Sequence, residues 1–217
     1  MKLRLISKKN RKFKVFCIGC NKTGTTSLGQ ALTELGFNAA PQRPAENLID
    51  DWAKRDFNQL LKFCKTAGNA FQDVPYSLPY TYVILDHYFP KAKFILTIRN
   101  NSEEWYRSLV NFHTKLWSSS DNAPTKEDLI NATHFYKARP WHTNRLLYSS
   151  PEESPYQKED LVRFYENHNH SVIEYFRHKK DKLLVLNIAE DKSFQKLAEF
   201  LNIKTDKLEF PWLNASS

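Results

Sequence analysis

The sequence predicts an α/β fold in which a central parallel sheet is flanked by helices, giving three layers. The first observation is that residues 14–18, 93–98 and 182–187 form short continuous apolar runs, which are typical of strands buried on both faces. The second is that each run is followed by a segment whose apolar residues recur at helical spacing, so that strands and helices alternate. In such a fold, ligands bind at the carboxyl ends of the strands.

The first strand leads into a loop with the composition of an anion-binding site. Gly19 and Gly24 keep the spacing of the nucleotide-binding pattern G-x-x-x-x-G-K-[ST], but Thr25 occupies the lysine position and the cation of the loop is Lys22. A helix follows, with apolar residues at positions 28, 31, 32 and 35. We predict that this loop and helix start bind one phosphate, with Lys22 at the rim beside the group that the phosphate carries.

Two interpretations of this loop are open. In the first, the amides from Thr23 to Ser27 and the hydroxyls of Thr25 and Thr26 surround a phosphate. In the second, the same residues only form a good helix N-terminus. The coincidence of a strand, two glycines at this spacing and a loop lysine favours the phosphate site.

The segment before the next long strand is predicted from its apolar spacing. Residues 46–67 form one amphipathic helix, residues 69–72 form a short second strand, and residues 80–89 form a further helix. Asp73 follows the short strand at the carboxyl edge of the sheet, where it can serve as a general base if partial burial raises its pKa. Alternatively, Asp73 caps the turn that follows.

The strand at residues 93–98 ends in Arg99, and a helix follows from about Ser102. Asn101 and Glu104 have the spacing of a capping box at the start of that helix. In phosphoryl-transfer enzymes a comparable strand often ends in an Asp that helps to hold Mg²⁺. An arginine offers an anion site instead, and together with a serine on the helix it could bind a second phosphate. The alternative is a surface ion pair.

At these motifs the chain resembles the sulfotransferases that use 3′-phosphoadenosine 5′-phosphosulfate (PAPS). Residues 22–27 resemble their 5′-phosphosulfate loop, and Arg99 and Asn100 with Ser108 resemble their 3′-phosphate motif. Weaker similarity extends over nearly the whole chain, at residues 73–75, 89–99, 175–176, 183–187, 194–201 and 210–211. The resemblance implies a P-loop-type fold and PAPS as the donor.

The resemblance also implies roles for individual residues. The donor is bound by a set of eight residues, with Lys22 also acting in catalysis: Lys22, Thr23, Gly24, Thr25, Thr26, Ser27, Arg99 and Ser108. In the family the serine usually follows the arginine by eight positions, and here Arg107 occupies that place. One extra residue in the loop would restore Ser108, which we favour because Trp105 and Ser108 then keep their relation to each other. The alternative is that Arg107 makes the contact.

The proton acceptor is a second open point. Cytosolic sulfotransferases have a catalytic histidine ahead of a proline, and Asp73 falls at that place, two positions before Pro75. We therefore take Asp73 as the candidate base. Four histidines are alternatives, each of which is an ordinary surface or core residue in the simpler interpretation: His87, His113, His134 and His142.

Residues of about 117–157 form a variable insert that we interpret as an acceptor lid. Its aromatic residues could line a pocket for a small-molecule, carbohydrate or lipid acceptor, although aromatic residues in a variable insert more often serve packing: Trp117, Tyr136, Trp141 and Tyr148. A long helix over residues 160–180, the strand at 182–187 and a helix near 194–201 complete the chain.

Composition limits the class of protein. The 217 residues are 41% hydrophobic, which is sufficient for a core within one domain spanning residues 1–217. The net charge is +8, with a basic tail at residues 1–12 that would attract a polyanionic donor, nucleic acid or an anionic membrane. We expect no nucleic-acid partner. No segment resembles a secretory signal or a membrane span, and Cys is rare, so we expect a cytoplasmic protein.

The resemblance thus implies an enzyme that moves a sulfuryl group from PAPS to a hydroxyl or amine. One alternative is a small-molecule kinase with a rearranged P-loop, which the missing lysine after Gly24 disfavours. Another is a non-catalytic module that binds nucleotide or nucleic acid. No metal site is predicted, and the acceptor and oligomeric state are left open.

Overall fold

The structure is a computed structural model, and it describes residues 13–211. The basic tail predicted for residues 1–12 lies outside this range. The strands are β1 (Val15–Cys17), β2 (Ala70–Phe71), β3 (Lys93–Thr97), β4 (Thr133–His134), β5 (Tyr136–Lys137) and β6 (Leu183–Leu186). The helices are α1 (Thr25–Glu34), α2 (Gln42–Glu46), α3 (Ile49–Ala53), α4 (Asn58–Thr66), α5 (Thr81–Tyr88), α6 (Ser102–Trp117), α7 (Lys126–Asn131), α8 (Arg139–Leu147), α9 (Lys158–Phe176) and α10 (Ser193–Phe200).

The centre of the fold is a parallel sheet with the strand order β2-β1-β3-β6. Phe16 of β1 is in register with Phe71 of β2 and Phe94 of β3, and Ile95 of β3 is in register with Leu184 of β6. Because these strands are parallel, their carboxyl ends lie at one edge of the sheet. The predicted α/β fold class, a parallel sheet flanked by helices, is confirmed.

The chain divides into two compact units, and the first contains the sheet, with residues up to Ile98 and from Ser171 onward. Alternate strand residues enter two apolar clusters, as expected for a sheet that is covered on both faces. One cluster joins the sheet to α1 and α10, and the other joins it to α4, α5 and the end of α9. Burial of each large apolar side chain contributes about 1.5–3 kcal/mol to the stability of the fold. The two apolar clusters therefore fix the strands, and with them the carboxyl ends of the strands.

The prediction of one helix over residues 46–67 is wrong, because this segment contains the end of α2 followed by two short helices, α3 and α4. Arg55 follows α3 with a φ of 60°, a left-handed conformation that a right-handed helix cannot continue. The Oδ1 atom of Asp56 accepts the N–H of Asn58 at 3.0 Å and stabilises the turn between the helices. Buried apolar residues occur on both sides of this turn, so the periodicity alone did not reveal it.

The second unit is Arg99–His170, and it consists of helices and a hairpin of β4 and β5. Trp105 on α6 stacks on Tyr165 of α9, with ring centroids 4.5 Å apart and an interplanar angle of 11°. Thr125 and Asp128 form a reciprocal capping box at the start of α7. The insert over residues 117–157 thus contains two helices, α7 and α8, and the hairpin of β4 and β5, joined by loops.

The long helix that the sequence predicts near its C-terminal end is present. The helix predicted for residues 160–180 is α9, which begins at Lys158 and ends at Phe176. Between residues 13 and 211, no helix combines the length and the apolar composition that crossing a membrane requires. The expectation of a single domain over residues 1–217 stays a prediction.

Candidate active site

The loop between β1 and α1 has the backbone geometry of an anion site. Lys22 and Gly24 have φ angles of 70° and 90°, and Gly24 is the N-cap of α1. Since glycine has no side chain, it supplies no acceptor to the amides of the first helical turn, and that turn contains no acidic residue. These amides, together with the positive end of the helix dipole, favour a bound anion.

Two close approaches explain why the loop begins and ends with glycine. A Cβ on Gly19 would lie 2.4 Å from the backbone oxygen of Thr97 at the end of β3. A Cβ on Gly24 would lie 2.2 Å from Cδ1 of Ile188, at a φ that already favours glycine. Tight packing against β3 and the segment after β6 therefore shapes the loop.

Thr23 ties the loop to the neighbouring strand. Its hydroxyl donates to the carbonyl of Cys20 at 2.6 Å and shares a 2.5 Å hydrogen bond with Oγ1 of Thr97. Thr23 is buried, as are Thr25 and Ser27, whereas Thr26 is exposed. The Thr23 side chain thus has a structural contact of its own, and the contribution to a ligand that we expect from Thr23 is its amide.

Asp73 lies just beyond the end of β2 with a φ of 67°. Its backbone carbonyl accepts the N–H of Ser77 at 3.0 Å, which closes the following turn. Its Oδ1 atom is buried and has no hydrogen-bond partner among residues 13–211. Burial, and secondly the charge of Glu46, raise the pKa of Asp73 to about 7, against the opposing effects of the Val74 N–H and Lys22. Such a carboxylate can accept a proton near neutral pH.

Arg99 begins the second unit and faces Ser108. The guanidinium donates to Oε1 of Glu104 at 3.1 Å and to Oγ of Ser108 at 3.5 Å. The Arg99 backbone N–H donates to the hydroxyl of Tyr165 at 3.0 Å. By contrast, the Arg107 side chain is 67% exposed, and its Nε atom lies 3.9 Å from a carboxylate oxygen of a neighbouring glutamate on α6. The contact with Arg99 is therefore made by the serine.

Glu104 is a residue of this region whose contacts the sequence did not reveal. Its backbone N–H donates to Oδ1 of Asn101 at 2.8 Å, as the helix-capping pattern predicts. Its carboxylate, however, accepts from Arg99 and from Nδ2 of Asn100, the latter at 2.8 Å. Glu104 thus holds the guanidinium in place, since an arginine paired with a carboxylate has a fixed orientation.

A sequence model of the family described as a sulfotransferase domain matches residues 14–217. The chain belongs to the sulfotransferase family. The match covers nearly the whole chain and includes the loop at Lys22 and the segment at Arg99. It supports sulfotransferase activity in general terms. No curated protein matches the chain.

The first unit of the sulfotransferase also contains a pocket beside α1. Its volume is about 230 Å³, and it is lined in part by Thr26, Gly29, Ala40, Phe71 and Gln72. The Oε1 atom of Gln72 is buried without a hydrogen-bond partner among the described residues. The pocket therefore has room for a small polar group close to the first turn of α1.

His113, Trp117 and Trp141 contact other residues of the second unit. Nδ1 of His113 shares a 2.8 Å hydrogen bond with the Tyr156 hydroxyl, and its ring lies 4.3 Å from that of Trp117. Trp141 contacts two cations, with Nζ of Lys126 at 5.4 Å and the Arg145 guanidinium at 4.7 Å from its ring centroid. These contacts give His113 and both tryptophans a packing role, and an acceptor role for them stays a prediction.

The C-x-x-C sequence of the sulfotransferase does not form a reactive thiol pair. Cys17 and Cys20 are free and buried. Burial raises the pKa of Cys17 far above its usual range and that of Cys20 to about 12. Both thiols are therefore protonated at neutral pH, which argues against a redox function.

Proposed function

We propose that this sulfotransferase uses PAPS as its donor and transfers the sulfuryl group to a hydroxyl or amine of a small-molecule, carbohydrate or lipid acceptor. The observation that carries the proposal is the pairing of Arg99 with Ser108 where β3 ends. An arginine and a serine hydroxyl at this place suit a phosphate. A 3′-phosphate distinguishes PAPS and its product from ATP and AMP.

The loop after β1 fits the other phosphate of such a donor. The first turn of α1 has amides without an N-cap side chain and has no acidic residue, which suits the 5′-phosphate. We assign the amides from Thr23 to Ser27 and the hydroxyls of Thr25 and Thr26 to this phosphate. Lys22 precedes them in a left-handed conformation at the partly exposed rim of the loop.

PAPS supplies an activated sulfuryl group, whose sulfur bonds to the acceptor atom as its bond to the 5′-phosphate oxygen breaks, releasing 3′-phosphoadenosine 5′-phosphate. Lys22 stabilises the negative charge that develops on the oxygen of the breaking bond. Asp73 takes the proton of the acceptor on its Oδ1 atom, which has no hydrogen-bond partner within residues 13–211. Arg99 and Ser108 orient the donor without taking part in bond changes.

The proposal is tested by incubating the protein with sulfur-labelled PAPS and pools of phenols, sugars, amines and lipids. We expect label to enter at least one acceptor pool. Lys22→Ala should reduce kcat by about 10²- to 10³-fold, the effect of losing one preorganised donor to a developing oxyanion. Lys62→Ala, which removes an equal charge from an exposed position on α4, is the matched control. Tight binding of 3′-phosphoadenosine 5′-phosphate without transfer to any acceptor would instead favour a non-catalytic module.

A further inference from the structure

Helix α2 brings a second carboxylate to the segment that contains Asp73. The Nε2 atom of Gln42 donates to Oε1 of Glu46 at 3.1 Å and to the backbone oxygen of Val74 at 3.1 Å. A carboxamide nitrogen has two hydrogens, so both bonds can exist together. One side chain thus links Glu46 to the backbone carbonyl of Val74, the residue that follows Asp73.

We propose that Glu46 is a positioning residue that acts on the reaction through Asp73, by keeping a fixed negative charge beside that carboxyl group. This inference rests on the proposed role of Asp73 as the proton acceptor. Glu46 lies on a different element from Asp73, and Gln42 holds it in one orientation relative to the chain there. Glu46 therefore does not need to touch the substrate in order to affect the transfer.

The charged and titratable groups around Asp73 determine the direction of the effect. The like charge of Glu46 on α2 raises the pKa of Asp73, and the opposite charge of Lys22 on the loop lowers it. The thiols of Cys17 on β1 and Cys20 on the loop also interact with Asp73, but both are protonated at neutral pH. Without Glu46, burial alone would oppose the pKa-lowering effects of the Val74 N–H and Lys22, and Asp73 would become a weaker base. Since a base works best when its pKa is near the working pH, Glu46 favours proton acceptance.

A direct titration tests this inference without any need for catalysis. In the full-length protein, the side-chain carboxyl carbon of Asp73 is followed by ¹³C NMR against pH, and Asp73→Asn identifies its signal. Glu46→Gln removes the charge while its carboxamide oxygen can still accept from Gln42. We expect the midpoint of Asp73 to fall by about one pH unit. Glu46→Asp, which keeps the charge, should leave the midpoint close to that of the wild type.

Glu34→Gln is the control for a change of net charge alone. Glu34 is at the end of α1 and pairs with Lys207, so this variant should not move the Asp73 midpoint. An unchanged midpoint in Glu46→Gln, or an equal fall in Glu34→Gln, would overturn the inference. Because these outcomes are read from the carboxyl signal, they are independent of whether any acceptor is sulfurylated.

The pH dependence of kcat/KM gives the second readout. Asp73 acts in its deprotonated form, so kcat/KM should rise as the pH passes through 7. At pH 6 the wild type should have about a tenth of its plateau value, and Glu46→Gln about half of its own plateau, for pKa values one unit apart. If Glu46→Gln lowered kcat/KM by the same factor at every pH and left the midpoint of the pH profile unchanged, Glu46 would act in some other way and the inference would be overturned. Absence of transfer by the wild type would refute the proposed function alone.

Discussion

Arg99 is the side chain from which we expect the donor preference. Its guanidinium is already oriented by Glu104 and lies 3.5 Å from Ser108, so little rearrangement is needed to bind a phosphate. The nearby Arg107 has the same chemistry but a mostly exposed side chain. Substitutions of Arg99, in the loop before α6, and of Arg107, on α6, can therefore be compared as a matched pair.

We predict that 3′-phosphoadenosine 5′-phosphate raises the melting temperature more than AMP or ATP does. Arg99→Ala should remove about 1.5–3 kcal/mol of this preference, the usual contribution of a hydrogen bond that involves a charged group. Arg107→Ala should keep the preference. Equal stabilisation of the wild type by ATP would contradict the assignment of a 3′-phosphate site.

The two roles considered for Asp73 make different predictions. As the general base, Asp73→Asn should lower kcat by about 10²- to 10⁴-fold, because an amide has nearly the same size but cannot accept the proton. Binding of 3′-phosphoadenosine 5′-phosphate should change little and is measured by calorimetry. If Asp73 only stabilises the turn, Asn should support nearly full activity, since Asn and Asp perform similarly in turns. Asp73→Ala completes the series. If Asp73→Asn is active and Asp73→Ala is only less stable, the catalytic role is refuted, and the histidines become the candidate bases.

Thr23 ties the segment made of β1, its loop and α1 to the neighbouring strand β3. Replacing Thr23 by valine keeps the shape but removes the hydrogen bonds to Cys20 and Thr97, which are both buried. We predict a loss of about 1–3 kcal/mol in the free energy of unfolding, because buried polar atoms lose their partner. Urea denaturation measures this loss. Thr26→Val, at an exposed position in the first turn of α1, should cost much less, and an equal cost for both variants would argue against the tether.

The segment between β1 and β2 shows where local sequence signals fail. The apolar spacing over residues 46–67 is continuous, but the chain turns at Arg55 and Asp56. Arginine is a good helix former, and its left-handed conformation here is held by contacts rather than by propensity. The guanidinium of Arg55 lies 4.9 Å from the ring of Trp52 and 5.7 Å from the ring of Tyr80. Tyr80 belongs to a distant part of the sequence, so this stabilisation cannot be read from the segment itself.

For the complete protein, the proposed distribution of charge predicts transfer without a divalent metal. Lys22 supplies the positive charge that Mg²⁺ brings to phosphoryl transfer in a kinase, and Arg99 occupies the strand end where an Asp often helps to hold that ion. Activity should therefore persist when the full-length protein is assayed with an excess of EDTA. Abolition by EDTA followed by recovery on addition of Mg²⁺ would instead support the kinase alternative.

The sequence by itself determined the strand, loop and helix around Lys22, the strand that precedes Arg99, and the parallel α/β fold. These features depend on residues that are close in the chain, such as two glycines at a fixed spacing or an apolar run before a polar end. The structure confirms the corresponding elements as β1, α1 and β3. Local signals were sufficient to locate these elements because the apolar runs and the helical spacing that mark them lie within the elements themselves.

Only the tertiary structure decided which helix residue faces Arg99 and what surrounds Asp73. Because Trp105 and Leu109 are buried, they fix the rotation of α6, and that rotation directs Ser108 toward Arg99. The pKa of Asp73 depends on its burial and on the charge of Glu46, which α2 brings close from a distant part of the chain. Desolvation and Coulomb interactions vary with distance in space, and a linear sequence does not specify those distances.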